Sequence, residues 1–282
     1  VAQWGFPLDP PENVTVLRAL ALIPDAGAAL LGRLAQAEFD DRNYDKALEA
    51  ARKALAVDED EKNALEVFVK VLAHYAEDKV GPGLKQLEDG MLPALKRLAA
   101  VDPGGWTAPK LLGRILLRRE QFDEALGYLT QLQRNCPLDP SSYAGLAGIY
   151  LERHEPDLAL PQLLELARAD EHDPDVPAKI GAIYAQRGKL TEARHWYRQA
   201  LYIDPFRPAT HTELAAVLMR LGDTRAALEE YQVLCELEPT VARHFTDAAL
   251  ASQKIGDTAK AKEFARKAVA LDPASPARTL LD

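Results

Sequence analysis

The sequence contains few of the residues that folds other than a helical one require. It has only two cysteines, Cys136 and Cys235, too few for a disulfide framework and without the spacing of a zinc site. We expect both to be small buried residues. Aromatic residues make up only 7% of the chain, and no run of alternating Val, Ile and Thr lies between turn residues. The sequence therefore predicts an all-α protein.

Long apolar segments and an excess of basic residues are also absent. No apolar run approaches the roughly 20 residues that span a bilayer, so we expect no membrane insertion. The net charge of -9 argues against nucleic acid as the main partner. The first 13 residues show no basic region followed by an apolar core. The compartment stays open between the cytoplasm, which is favoured, and the periplasm.

Sequence signals for catalysis are missing as well. No GxGxxG, GxxxxGK[ST] or GxSxG motif occurs. The six histidines form no HExxH pair, and the one ExxH spacing, Glu192 with His195, has no second copy. We interpret the histidines as surface polar residues. The expectation is a protein without catalytic residues, metal or cofactor.

A pattern of 34 residues recurs through most of the chain. Alanine returns with this period at five positions, Ala125, Ala159, Ala193, Ala227 and Ala261. Ala47 joins the series once an insertion of ten residues near 73–90 is allowed for. The units then begin at residues 28, 62, 106, 140, 174, 208 and 242. Seven repeats are predicted, because a unit of this length buries its apolar stripe only by stacking on its neighbours.

Small residues and proline turns recur in the same register. The eighth position is Gly or Ala in most units, which lets two helices approach closely. These residues are Ala35, Gly113, Ala147, Gly181, Ala215 and Ala249. Most units end at an acidic residue followed by Pro, which stops a helix because the residue before Pro is driven away from helical geometry. Each unit is therefore predicted to contain two helices.

These columns resemble the tetratricopeptide repeat family. The unit from 174 matches the family pattern at Ile180, Gly181, Tyr184, Gly188, Ala193, Tyr197, Ala200 and Pro205. The resemblance covers residues 28–275 and departs from the pattern at the insertion and at Glu38, where the family has a large apolar residue. It implies a right-handed superhelix, an α-solenoid of stacked helix-turn-helix repeats, and a non-catalytic scaffold for protein–protein interaction.

An aromatic and basic cluster at residues 194–198 invites a chemical interpretation, which the repeat makes unnecessary. Trp196, Tyr197 and Ala200 fall at helical positions that pack within and between repeats, and Arg194 and Arg198 are expected to be in solvent.

The first helices of successive repeats are expected to line a concave groove. The candidate groove residues are Lys70, Lys110, Arg114, Arg118, Ala144, Gly148, Ala178, Lys179, Ala182, Thr212, Ala216 and Arg220. The small residues leave room for a backbone, and the basic ones offer charge to an acidic residue of an extended or helical partner segment. The alternative is that the small residues serve helix packing alone and the basic cluster is solvated.

A chaperone-tail ligand is disfavoured. Some members of the family hold the C-terminal carboxylate of chaperones through Lys and Asn in the groove. Here Gly148 and Ala182 stand in place of the Asn pair.

A second functional class stays open, in which the chain is the C-terminal docking or regulatory domain of a larger enzyme, a peptidase or transferase, whose catalytic part precedes Val1. Residues 18–25 resemble the end of a second helix whose first helix is missing, and Trp4 lies in the segment before them. Residues 1–27 are therefore assigned to a truncated preceding repeat. Its apolar residues 11–23 predict an exposed edge and weak self-association.

Two further segments carry expectations. The insertion is predicted to form a helical arm that turns at Gly81, Pro82 and Gly83, as a functional protrusion or a tolerated loop. Residues 276–282 are predicted to begin a C-terminal capping helix.

Overall fold

A computed structural model describes residues 14–23 and 25–281, and in that part all regular structure is helical. The α-helices in these residues are α1 (Val14–Leu20), α2 (Ala28–Asp40), α3 (Tyr44–Val57), α4 (Lys62–Ala76), α5 (Gly81–Val101), α6 (Thr107–Arg118), α7 (Phe122–Asn135), α8 (Pro140–Glu152), α9 (Pro156–Ala169), α10 (Asp175–Gln186), α11 (Leu190–Ile203), α12 (Pro208–Leu221), α13 (Thr224–Leu237), α14 (Ala242–Lys254) and α15 (Thr258–Leu271). A 3₁₀ helix, Pro276–Leu280, follows.

From α2 onward the helices form consecutive pairs. Partners pack on each other in α2–α3, α4–α5, α6–α7, α10–α11, α12–α13 and α14–α15, and several pairs also contact the next one. The predicted all-α architecture of stacked helix pairs is confirmed. The division into seven repeats over 28–275, with residues 1–27 and 276–282 outside them, stays a prediction.

The chain divides into two compact units. One ends at Leu146 and the other begins at Ala147, so the boundary falls within α8. Each core consists largely of alanine and leucine. The first includes Leu31, Ala35 and Ala47, and the second includes Leu214 and Ala227. Small side chains at these positions allow the helices of one pair to lie close together.

A left-handed residue follows the first helix in six of the pairs. In three pairs it is a glycine, at Gly188, Gly222 and Gly256, with φ of 72, 81 and 83°. In the other three it is a residue with a side chain, Arg42, Glu120 or His154, with φ of 60, 57 and 57°. The family preference for Gly at this column thus has a conformational cause, since side chains disfavour positive φ.

The insertion is helical and the chain breaks next to a left-handed Gly81, as predicted, but Gly81, Pro82 and Gly83 belong to the helix and the segment packs instead of protruding. The turn after α4 lies at residues 77–80, and α5 begins at Gly81 with Pro82 in its first turn, where the missing N–H costs no hydrogen bond. The inserted residues lengthen α5 to 21 residues, against 14 in α7. Glu88 of this longer helix is buried and bonds Arg118 of α6, so the insertion packs against the next pair.

Glu38 is buried in the structure and is paired. The residue is 2% exposed, and its carboxylate accepts hydrogen bonds from Arg18 at 2.6 and 2.7 Å and from Asn43 at 3.1 Å. The hydrogen bond from Arg18 lowers the pKa of Glu38 despite burial. An ion pair from α1 therefore replaces the apolar contact that the family pattern expects here.

The remaining structural expectations concern the two ends of the described part of the chain. Leu17 of α1 is buried against α2, whereas Leu22 and Ile23 are exposed. Trp4 lies outside the described residues, and weak self-association stays a prediction. At the other end, the 3₁₀ helix packs on α14 and α15 and buries Ala277.

Candidate functional site

The aromatic cluster at 194–198 contributes to packing through Tyr197. This ring is 1% exposed and lies against Gly181, where an added Cβ would be 2.9 Å from Cδ1 of the ring. Trp196 is half-buried beside His195, with ring centroids 5.6 Å apart. Arg198 is exposed as expected, whereas Arg194 is half-buried and not fully in solvent. The packing interpretation is confirmed for Tyr197, although its hydroxyl also faces a pocket described below.

Three of the predicted basic residues line one pocket of about 290 Å³, which we call the α4–α6 pocket. Lys70 comes from α4, and Lys110 and Arg114 come from α6. Its aromatic lining, which the sequence analysis missed, consists of Phe39, Tyr44, His74 and Trp106. These residues lie in different helices and loops, so no local spacing links them in the sequence.

The two lysines of this pocket already have partners. Lys70 pairs with Glu66 at 2.8 Å, and Lys110 pairs at 2.6 Å with Asp139, whose side chain is 8% exposed. Each ammonium also lies over an aromatic ring, Lys70 at 5.9 Å from Phe39 and Lys110 at 5.7 Å from the Trp106 centroid. Their charges are therefore largely committed within the chain.

The two arginines differ from each other. Arg118 bonds the buried Glu88 through Nε at 2.8 Å and lies outside the pocket lining. Arg114 forms no ion pair with any residue that the structure describes. Partial desolvation lowers the pKa of Arg114, and the positive charge of Arg118 adds to the shift. Arg114 therefore presents to the α4–α6 pocket a guanidinium without an ion pair, on which the charges of Glu77, which also lines the pocket, and Glu88 act.

A second pocket, of about 550 Å³, lies between α10 and α12 within the other unit, and we call it the α10–α12 pocket. Its lining includes four predicted groove residues, Ala178, Lys179, Ala182 and Arg220. Neither Lys179 nor Arg220 has an acidic partner among the described residues, although Arg220 donates to the Ala185 carbonyl at 3.2 Å. The other two predicted residues of α12, Thr212 and Ala216, lie outside this lining.

The floor of the α10–α12 pocket contains buried polar atoms that no pattern in the sequence indicated. Tyr197 Oη and Arg207 Nε are buried there, and neither atom has a hydrogen-bond partner in the described part of the chain. Burial raises the pKa of Tyr197, and the nearby charge of Glu213 adds to the shift, so this hydroxyl stays a donor at neutral pH. Arg207 bonds Asp175 through Nη2.

The remaining predicted groove residues, Ala144 and Gly148, are exposed on α8. A Cβ added at Gly148 would meet no atom within 4 Å. Helix packing therefore does not explain glycine at 148, in contrast to Gly181.

Two expectations about polar residues were wrong. His211 and His244 are buried and not at the surface, because each finds a carboxylate partner, Glu230 at 2.6 Å and Glu238 at 2.7 Å. Cys136 is only half-buried, since it caps the end of α7, whereas Cys235 is buried as expected.

Family models match three segments of the chain. A TPR repeat model matches residues 181–222, and tetratricopeptide repeat models match residues 92–140 and 245–275. These matches agree with the helix pairs described above. The chain contains tetratricopeptide repeats. Such repeats serve as protein-interaction scaffolds and are generally non-catalytic.

Solved structures of the same fold agree with this assignment. The tetratricopeptide repeat chain is similar to YrrB, described as a TPR protein with an unusual peptide-binding site, at 16% identity, with a TM-score of 0.55 over 66% of this chain and 96% of YrrB. It is also similar to MamA AMB-1 at 18% identity, with a TM-score of 0.51 over 61% of this chain and 94% of that one. No curated protein matches the chain. Among the described residues, no helix is both long and apolar enough to cross a membrane.

Proposed function

We propose that this scaffold binds a segment of a partner protein on the surface formed by its first helices, and that the α4–α6 pocket receives an acidic residue of that segment. The observation that carries the proposal is Arg114. A guanidinium without an ion pair in the described structure, in a pocket lined by aromatic residues where Glu77 is the one acidic side chain, is available to bind a carboxylate. YrrB, described as having a peptide-binding site, is an example of the same fold in that role.

The ion pairs of the other three predicted basic residues leave Arg114 as the side chain that binds the acidic residue of the partner. Lys70, Lys110 and Arg118 each bond an acidic residue of the chain, so binding a partner through them would require those pairs to break. Arg114 requires no such exchange. Its guanidinium also matches a carboxylate in a planar, two-point geometry that a lysine lacks.

The aromatic walls supply the second part of the interaction. Trp106 in the pocket lining is exposed, and Tyr44 and Phe39, also in the lining, are half-buried. An apolar residue next to the acidic one in the partner would cover these rings, and aromatic surfaces of this kind contribute much of the binding energy at interfaces. The expected ligand is a short segment with an acidic residue beside an apolar one.

The test is selection of a random peptide library on the wild-type chain, followed by affinity measurements on the selected peptides. We expect enrichment of Asp or Glu beside an apolar residue. Replacement Arg114→Gln is expected to weaken these peptides by about 1–3 kcal/mol and to reduce the salt dependence of binding, because a charge-assisted hydrogen bond is lost.

The matched control is Arg134→Gln, which removes the same charge from an exposed position on α7. It is expected to leave affinity and salt dependence unchanged. Double charge reversal with Lys110 is less informative, because that change would also leave the buried Asp139 unpaired. Acidic peptides that bind the Arg114→Gln variant as tightly as the wild type would contradict the assignment of this pocket.

A further inference from the structure

Buried polar atoms without partners are concentrated in one place. In the described part of the chain three such side-chain atoms occur, and two of them, Tyr197 Oη and Arg207 Nε, line the α10–α12 pocket; the third belongs to Ser252. Buried polar groups in proteins are nearly always hydrogen-bonded, so an unpaired donor calls for a partner from outside. Both atoms are donors, so a ligand bound in this pocket must supply a hydrogen-bond acceptor to pair with them.

The same pocket also offers an acceptor. Glu213 of α12 lines it, and its carboxylate is the acceptor next to the Tyr197 hydroxyl, on which it acts by its charge and by hydrogen bonding, although the two side chains do not form a hydrogen bond of normal geometry. No ion pair joins Glu213 to another described residue. A ligand that fills this space thus meets an O–H donor and a carboxylate acceptor side by side.

Charges of both signs line this pocket, Asp175 and Glu213 against Lys179, Arg207 and Arg220, so an ionic side chain of either sign meets like charge there, whereas a neutral polar one does not. A carboxylate would be repelled by Glu213 at short range. An ammonium or guanidinium would face Lys179 and Arg220, which have no acidic partner in the described chain, together with Arg207. An apolar side chain would leave the Tyr197 hydroxyl buried and unpaired, which is costly.

We propose that the α10–α12 pocket binds a carboxamide side chain, glutamine or asparagine, of the partner segment. The carboxamide oxygen accepts the Tyr197 hydroxyl proton in a hydrogen bond, and the carboxamide NH₂ donates to Glu213. The aliphatic stem lies against Ala178, Ala182 and Ala209, whose small side chains leave the pocket open. This inference rests on the proposed function, but it concerns a different unit of the chain and different residues.

The experiment is the same random peptide library, selected in parallel on the wild type, on Tyr197→Phe and on Tyr202→Phe. The first variant removes the buried hydroxyl and keeps the ring that packs on Gly181. The second removes a hydroxyl from an exposed tyrosine of the same helix, outside the pocket. We expect Gln or Asn to be enriched at one position on the wild type and on Tyr202→Phe, and the enrichment to be lost on Tyr197→Phe.

Affinities of one selected peptide then test the chemistry. Replacing its carboxamide residue by Glu or by norleucine should weaken binding to the wild type about tenfold, and by clearly less on Tyr197→Phe, because the hydrogen bond is already absent there. Circular dichroism of both tyrosine variants should match that of the wild type.

The outcomes separate the two proposals. This inference is overturned if acidic residues are enriched without any carboxamide preference, or if Gln and norleucine peptides bind with equal affinity. Water alone then occupies the floor of the pocket, and the Arg114 proposal stands. Carboxamide enrichment without an acidic preference supports this inference and contradicts the Arg114 assignment. A library that yields no enriched peptide overturns both.

Discussion

Replacement of Gly181 by alanine tests the close contact on which the repeat is built. The new Cβ would lie 2.9 Å from Cδ1 and 3.0 Å from Cε1 of Tyr197, closer than ordinary van der Waals contact. The ring is 1% exposed and has little room to move. Overpacking of this kind typically costs about 1–3 kcal/mol. Alanine in place of glycine within a helix gains about 1 kcal/mol, so the expected net loss is about 1 kcal/mol.

Gly127 provides a matched control with the opposite sign. It lies within α7, and a Cβ added there would meet no atom within 4 Å. Only the gain in helix propensity remains, so Gly127→Ala is expected to stabilise the protein by up to about 1 kcal/mol. Both variants are measured by urea unfolding followed by far-ultraviolet circular dichroism, with the free energy of unfolding as the readout.

A second background separates the contact from other effects of the substitution. In Tyr197→Leu the ring is gone, so Gly181→Ala should cost less there than in the wild type, and the difference gives the coupling energy between the two positions. If Gly181→Ala and Gly127→Ala change stability in the same direction and by the same amount, the close approach of α10 and α11 at this point is refuted.

Two further predictions follow from buried and strained residues. His211 donates from both ring nitrogens, to Glu230 and to the Pro205 carbonyl; burial opposes its charge, but these bonds outweigh that effect and raise its pKa. Its contribution to stability is therefore full below the unfolded pKa of about 6.5 and is lost as pH rises through the folded pKa. We expect the plot of unfolding free energy against pH to be flatter in this range for His211→Gln than for the wild type. Equal slopes for the two proteins would contradict this role of His211. Glu120 holds φ of 57°, and Glu120→Gly is expected to raise the urea midpoint by an amount equivalent to about 1 kcal/mol, whereas a loss of stability would mean that its side chain matters more than its backbone.

The repeat pattern was readable from the sequence because it reflects contacts inside one repeat. Position 8 of the unit from 174 is Gly181, and Tyr197 occupies the family's aromatic column sixteen residues later. In the pair α6–α7 the same spacing joins Gly113 and Leu129, where an added Cβ at Gly113 would be 2.7 Å from the leucine side chain. Contacts of this kind recur with the period and are therefore visible as columns.

The insertion was predicted to interrupt a continuous helix, and α4 and α5 are indeed separate, but the turn precedes Gly81 instead of including all three residues. Gly81, Pro82 and Gly83 break a helix only in its interior, and here they form the first turn of α5. What makes the longer helix favourable lies elsewhere, in the bonds from Arg118 and Arg119 to Glu88 and from Arg119 to Asp89. No local sequence window contains both sides of these pairs.

The candidate sites depend on the same kind of distant pairing. Counting charges in the sequence identified Lys70, Lys110, Arg114 and Arg118 as equivalent, yet all but Arg114 are paired. Glu66 pairs with Lys70 from the same helix, and Asp139 and Glu88 pair with Lys110 and Arg118 from other segments. The sequence correctly predicted that Tyr197 packs inside the repeat. It did not predict that the hydroxyl of this buried ring would lack a hydrogen-bond partner among the described residues. In a scaffold whose framework is fixed by a short repeat, recognition is carried by the polar groups that packing leaves without partners, and those are set by the fold and not by the column pattern.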